Sequence, residues 1–333
     1  MDNRKTAALF AGTTLLLALL ALKGIFSGSV AIPFRQALAV LAGRERGSPA
    51  AAILIGVRAP RVVMAILAGM MLASGGTISQ AVFRNPLADP YIIGISSGAV
   101  SGASLAFILG LSDIWFGLFA FCGAILAAAL IFRIAGSGAR ADTSSLLIVG
   151  VALSAFLSAL SSFIMYVAGQ DAYRVMLWTM GYLGTATWLR VALMAAPLGG
   201  ALLYFAWRRH DVDALLLGDE EAHSLGLPVG KLKRRLLLVV SLTAAFSVAF
   251  TGMIGFVGLI VPHGVRLCVG NSHGRLLPLA CWTGGAFLLL ADTLARTLLS
   301  PMEIPIGVIT ALFGAPFFLF LALRGGKERY GGA

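Results

Sequence analysis

The residues able to do chemistry in this chain are few, and their spacing favours pairing and docking over catalysis. Its four histidines, His210, His223, His263 and His273, form neither an HExxH sequence nor a close ligand pair. Cys122, Cys268 and Cys281 are far apart with no CxxC spacing, so neither a metal site nor a disulfide framework is expected. They read as small apolar residues. Gly230-Lys231 is followed by Leu232 and Gly326-Lys327 by Glu328. No Walker A sequence therefore supplies the Ser or Thr that holds magnesium. Asp292, the single acid inside an apolar block, lies four residues before Arg296, which puts both on one helix face and allows an ion pair. Acids within a membrane are functional candidates by default, so a structural pair and a proton relay both stay open. No catalytic group and no resident cofactor are expected.

Three other constellations point to docking and packing. In the polar stretch Arg208–Arg235, Asp219, Glu220 and Glu221 crowd a helix start, where the helix dipole favours negative charge. Ala222, His223, Ser224 and Leu225 continue the helix, Gly226 suits the residue just past its end, and Pro228 blocks continuation. A short charged helix between two apolar blocks fits a docking knob for a partner and equally a solvated loop. Arg84-Asn85-Pro86-Leu87-Ala88-Asp89-Pro90 is a tight turn whose two prolines fix the path. Behind it, Gly94, Gly98 and Gly102 recur every fourth residue, a spacing that lets helices approach closely in lipid. Arg58-Ala59-Pro60-Arg61 opens one apolar block, and Arg296, followed by Glu303, closes another. Such arginines either snorkel or stand as exposed guanidinium groups that receive carboxylates from another protein.

The elements that position these groups follow from composition. Of 333 residues 59% are apolar and 12% charged, against about 25% charged in soluble proteins. Mean hydropathy is +0.93. One soluble core cannot absorb this much apolar surface, so the solvent for it is lipid, and the chain is an all-α integral membrane protein. The net charge of +11 does not mark a nucleic-acid binder, because the Lys and Arg lie between apolar blocks and not in a basic stripe with aromatics. Nine blocks lack Asp, Glu, Lys and Arg, each about as long as a bilayer-spanning helix needs. The run Leu236–Val265 is too long for one span and contains Gly252, Gly255 and Gly258, where a helix can break. If the basic segments on both sides of it are cytoplasmic, it crosses twice. The chain then has ten transmembrane helices, N and C termini cytoplasmic, with 16 of the 25 Lys and Arg inside. Thr6–Leu22 is long for a signal-peptide core and no clean A-x-A site follows, so an uncleaved first helix is expected. Residues 1–333 read as a single transmembrane domain, with 208–235 as a cytoplasmic segment.

On RAPR (58–61), SGGTISQAVFRNPLADPYIIGISSGA (74–99), DEEAHSLGLP (219–228), GFVGLIVPHGVR (255–266) and LLLADTLARTLLSPMEIPIGVITALFGAPFF (288–318), the chain resembles a known family. These segments are similar to the permease subunits of binding-protein-dependent ABC importers for iron–siderophore complexes, haem and vitamin B12. The resemblance implies a homodimer around a central pathway in a bacterial or archaeal cytoplasmic (inner) membrane. It also implies two cytosolic ATP-binding subunits, which would hold ATP and Mg, and an external substrate-binding protein.

By the same resemblance, Arg58, Arg61 and Arg296 match arginines that receive acidic residues of the binding protein. Asp219, Glu220, Glu221, Ala222, His223, Ser224, Leu225 and Gly226 match the coupling helix that docks on the ATPase. Asn85, Leu87, Thr143 and Ser144 match positions that narrow the pathway at the cytoplasmic face. Ser158, Ser161, Ser162 and Met165 are weaker candidates for lining it. His263 lies in a matching segment without an evident task. The rival is an ion-coupled secondary transporter, which would show midspan acids or discontinuous helices in matching halves.

Overall fold

The computed structural model describes residues 3–330 other than 29, 46, 92, 93 and 136–142. It is helical, and among the described residues there is no strand. The first helix, α1 (Asn3–Phe26), is followed by the short α2 (Phe34–Leu41). Ser48 then caps α3 (Pro49–Ala51), its Oγ accepting from the Ala51 N–H at 3.2 Å. A π-helical stretch, Ala52–Arg58, joins α3 to α4 (Ala59–Val82), so that Pro49–Val82 runs as one rod of 34 residues.

α4 is the axis of the fold. It is buried along almost its whole length against α9 (Trp188–Trp207), α12 (Val229–Thr251), α13 (Val257–Val269) and α14 (His273–Thr297). Its small residues make that possible. A Cβ on Gly76 would sit 1.9 Å from the Gly258 carbonyl oxygen, so only glycine permits this crossing. Of the spaced glycines, Gly98 and Gly102 in α5 (Ile95–Ile108) do the same against α6 (Asp113–Ala135). There a Cβ would meet the carbonyls of Gly123 and Phe119 at 2.5 and 2.0 Å.

α7 (Thr143–Ala168) packs on α5 and α6 but leaves a broad apolar face uncovered, with Val151, Phe163 and Tyr166 exposed. A single 3-10 turn and α8 (Tyr173–Thr179) lead to α9, which starts at a Thr187 cap whose Oγ accepts from the Arg190 N–H at 3.3 Å. The long apolar run Leu236–Val265 is indeed broken. α12 ends at Gly252, whose φ of +68° an L side chain rarely adopts, and α13 restarts at Val257. The last helix is α15 (Ile306–Tyr330).

Seven of these helices are long and apolar enough to cross a membrane, and Ile95–Ile108, Val257–Val269 and Ile306–Phe317 are shorter apolar ones. Each of the nine apolar blocks of the sequence falls on a helix, or on two in the broken run. Two small helices complete the chain between α9 and α12: α10 (Arg209–Leu215) and α11 (Asp219–Ser224).

Candidate functional site

The chemistry of the chain gathers at the two ends of α4, whose 24 residues separate them by about 36 Å. At the α11 end, the knob is built as its sequence foretells. Asp219, Glu220 and Glu221 fill the first turn, and only Ala222 is buried. Gly226, at φ +84°, ends the helix. The Gly226 N–H donates to the His223 carbonyl at 2.8 Å and the Leu227 N–H to that of Ala222 at 3.2 Å, a Schellman closure. Glu220, His223, Ser224 and Leu225 face outward, with Leu225 64% exposed.

The knob is tied back at two points. Asp219 accepts from Lys233 Nζ at 2.6 and 2.8 Å, which fixes α11 to α12. Arg84, at the turn after α4, approaches Asp219 at 3.9 Å, so the knob also touches the proline turn. The second anchor is Asp213 of α10. Its carboxylate accepts from the His273 backbone N–H at 2.8 Å and meets His273 Nδ1 at 2.6 Å. Burial would raise the Asp213 carboxyl, but hydrogen bonds from His273 hold it below the usual carboxylate range. Sixty residues separate the pair, so no sequence spacing signals it.

Asn85 and Leu87 are both exposed at this end, and Asn85 Oδ1 accepts from the Leu87 N–H at 2.9 Å in an Asx turn. Two residues on, Asp89 accepts from the Tyr91 N–H at 2.8 Å, and burial pushes its carboxyl up to about 6. Thr143 and Ser144 open α7, and their side chains lie outside the described ones.

The opposite end requires a correction. Arg58, Arg61 and Arg296 are not exposed: they retain 4%, 7% and 4% of their surface. The physical reason is that each finds internal acceptors. Arg58 donates to the carbonyls of Ile25, Phe26 and Val30, and Arg296 to those of Gly24 and Ser27 at 3.1–3.3 Å. Both thereby satisfy the last carbonyls of α1, where a helix end carries partial negative charge.

Arg61 binds Asp292 Oδ1 at 3.0 Å and both carboxylate oxygens of Glu303 at 3.0 Å. Asp292 Oδ2 lies 3.0 Å from Arg296 Nε, an ion pair too bent for a hydrogen bond. The expected Asp292–Arg296 pair therefore exists, inside a network of two guanidiniums, Arg61 and Arg296, and two carboxylates, Asp292 and Glu303. Glu303 is its most accessible acid, with its side chain 31% exposed.

The weaker lining residues divide. Ser161 is buried, with its Oγ 2.8 Å from Ser101 Oγ, and so belongs to the α5–α7 contact and not to an open face. Ser158 and Ser162 are exposed and Met165 is half-buried. Sequence reasoning missed Gln80. It is buried on α4, donates to the carbonyls of Gly258 and Leu259 at 3.3 and 3.1 Å, and accepts from Arg266 at 2.8 Å. His263 meets the ring of Phe317 edge-on at 6.3 Å, which gives it a packing role between α13 and α15. Among the described residues no three His, Cys, Asp or Glu could hold a metal ion.

An exposed helical knob lies at one end of α4 and a buried ion network at the other. In comparison with known proteins, the profile described as the FecCD transport family matches residues 15–324. The chain belongs to the FecCD transport family. It is 44% identical to the cobalamin import system permease protein BtuC of Halobacterium salinarum, over 85% of this chain and 77% of that one. It is 38% identical to the hemin transport system permease protein HmuU of Yersinia pestis, over 99% and 100% of the two chains.

A solved inward-facing metal-chelate type ABC transporter superposes with a TM-score of 0.81 at 31% identity, covering 96% of this chain and 99% of that one. This FecCD chain is therefore a multi-pass membrane permease of the ABC importer class of bacteria and archaea, with that class's fold.

Proposed function

We propose that this chain is the membrane-spanning subunit of a binding-protein-dependent importer that carries an iron chelate (siderophore or haem) or cobalamin inward. The power comes from ATP hydrolysis in a partner. The observation that carries this reading is the α11 knob: preformed, closed at its C-terminal end by Gly226, tied to α12 through Asp219–Lys233, and presenting Leu225 outward. A solvated loop helix needs no such bracing. Relatives named for cobalamin, hemin and iron chelatin transport support the cargo class.

The seven long and three shorter apolar helices correspond to ten crossings, with both termini and α11 in the cytoplasm. Two copies pair around a central pathway, to which the uncovered face of α7, with Ser158 and Ser162, contributes. Asn85, Leu87, Thr143 and Ser144 narrow that pathway near the knob. Two cytosolic ATPase subunits hold ATP and Mg and dock on Asp219–Gly226. Their closure shifts the knob and the helices reorient, so the passage opens alternately to each side.

The Arg58 end faces outward and receives the binding protein. Its guanidiniums outnumber its carboxylates, so an incoming acidic residue is attracted. Because Arg58, Arg61 and Arg296 are already partnered, that residue competes with Glu303 for Arg61. Asp292 is held by two guanidiniums, which favours a brace over a proton relay.

Reconstitution in liposomes tests the proposal. Uptake of a siderophore, haem or cobalamin should require the ATPase, the binding protein and ATP together. Uptake driven by an ion gradient through this chain alone would refute it.

A further inference from the structure

The knob is one of two attachments of the cytosolic segment, and the second has no assigned role. α10 sits on the bundle with Val212 and Leu215 fully buried, and its Asp213 reaches the first turn of α14. Ser272, the residue before α14, makes no side-chain cap bond of its own. Asp213 takes that place from another segment. Its Oδ1 accepts from the His273 N–H, one of the donors a helix start leaves open, and its charge suits the dipole there. The same carboxylate holds His273 Nδ1, and Ser272 Oγ lies 3.5 Å from Oδ2. The His273 side chain is 1% exposed, and among the described residues its Nε2 has no hydrogen-bond partner and its side chain's polar link is to Asp213. Charge-assisted contacts of this kind are roughly twice as strong as neutral ones.

We infer that Asp213 and His273 form a latch that makes the cytosolic segment and α14 move as one body, so that α14 carries displacement of the knob to the Arg58 end. α14 has 25 residues, about 37 Å of helix, long enough to join the two ends. Its far end holds Asp292 and Arg296, which bind Arg61 of α4 and the last carbonyls of α1. At mid-length it is pressed against α4: a Cβ on Gly284 would meet Ala73 and Gly69 of α4 at 2.4 and 2.6 Å. α14 therefore cannot shift without moving the external network. The α11–α12 link, by contrast, enters a helix that stops at the break at Gly252 and carries no residue of the ion network. Asp213 and His273 are positioning residues, and the inference rests on the permease reading above.

The test uses the full chain in nanodiscs and in the assembled importer. Leu217→Cys, exposed between α10 and α11, carries a spin label after Cys122→Ser and Cys268→Ser, while Cys281 stays buried. Asp213→Asn should loosen the label and lower ATP-driven uptake about tenfold, the scale of losing a charge-assisted hydrogen bond. Basal ATPase activity should stay within about twofold, and Asp213→Glu should recover part of the uptake. Unchanged label mobility and an unchanged uptake-to-ATPase ratio would overturn the latch. ATPase and uptake falling together would reduce the pair to an assembly contact and also overturn it. If the unmutated assembly shows no ATP-driven uptake, the permease reading has failed, and label mobility in the chain alone still decides the latch.

Discussion

Replacing Asp292 by Asn tests the ion network most directly. Asp292 is fully buried and receives Arg61 at 3.0 Å on one oxygen and Arg296 at 3.0 Å on the other. Removing one partner of a buried pair typically costs about 3–5 kcal/mol, because the remaining charge is stranded. Here the cost falls near the lower end. Arg61 keeps both oxygens of Glu303, and Arg296 keeps the carbonyls of Gly24 and Ser27. A loss of about 3 kcal/mol, at roughly 2–4 °C per kcal/mol for a large domain, gives a Tm lower by about 6–12 °C.

Thermal unfolding of the purified chain in detergent measures it. The double variant with Arg296→Met checks the cause. If the two residues act as one unit, the combined loss should be smaller than the sum of the single losses by about 1–3 kcal/mol. A shift under about 2 °C, or additive losses, would show that Asp292 is not the centre of the network.

Gly76→Val would drive a side chain into the Gly258 carbonyl at 1.9 Å, so the chain should fail to accumulate in the membrane, as an immunoblot of membranes would show. Leu225→Asp places charge on the exposed tip of the knob without touching the buried Ala222. It should lower ATP-driven uptake at least tenfold with the Tm unchanged within about 1 °C. Asp213 gives a pH signature. Its folded pKa is depressed, so its contribution is present above the unfolded value of about 3.9 and fades as pH falls through the folded one. The segment should loosen only below about pH 4, read by the spin label at position 217, and Asp213→Asn should remove that acid transition.

Some of this architecture was legible before any fold was seen. The apolar helices, a break within Leu236–Val265, the helix end at Gly226 and the Asp292–Arg296 pair all follow from neighbours close in sequence. Hydrogen-bond spacing, helix dipole and apolar run length are local properties. The close packing at Gly98 and Gly102 was legible for the same reason, since small residues every fourth position line one helix face.

Other features were decided only by tertiary structure. Arg58, Arg61 and Arg296 read alike as interfacial arginines in the sequence, yet folding buries them. The acceptors that take them in, Gly24, Ile25, Ser27 and Glu303, come from elements brought together only by packing. Ser161 left the expected pathway for the α5–α7 contact because Ser101 stands opposite it. Gln80–Arg266 and Asp213–His273 join residues 186 and 60 positions apart. Charge and size at one position state what a side chain can do. Which partner it meets depends on how helices cross, and that is a property of the whole bundle.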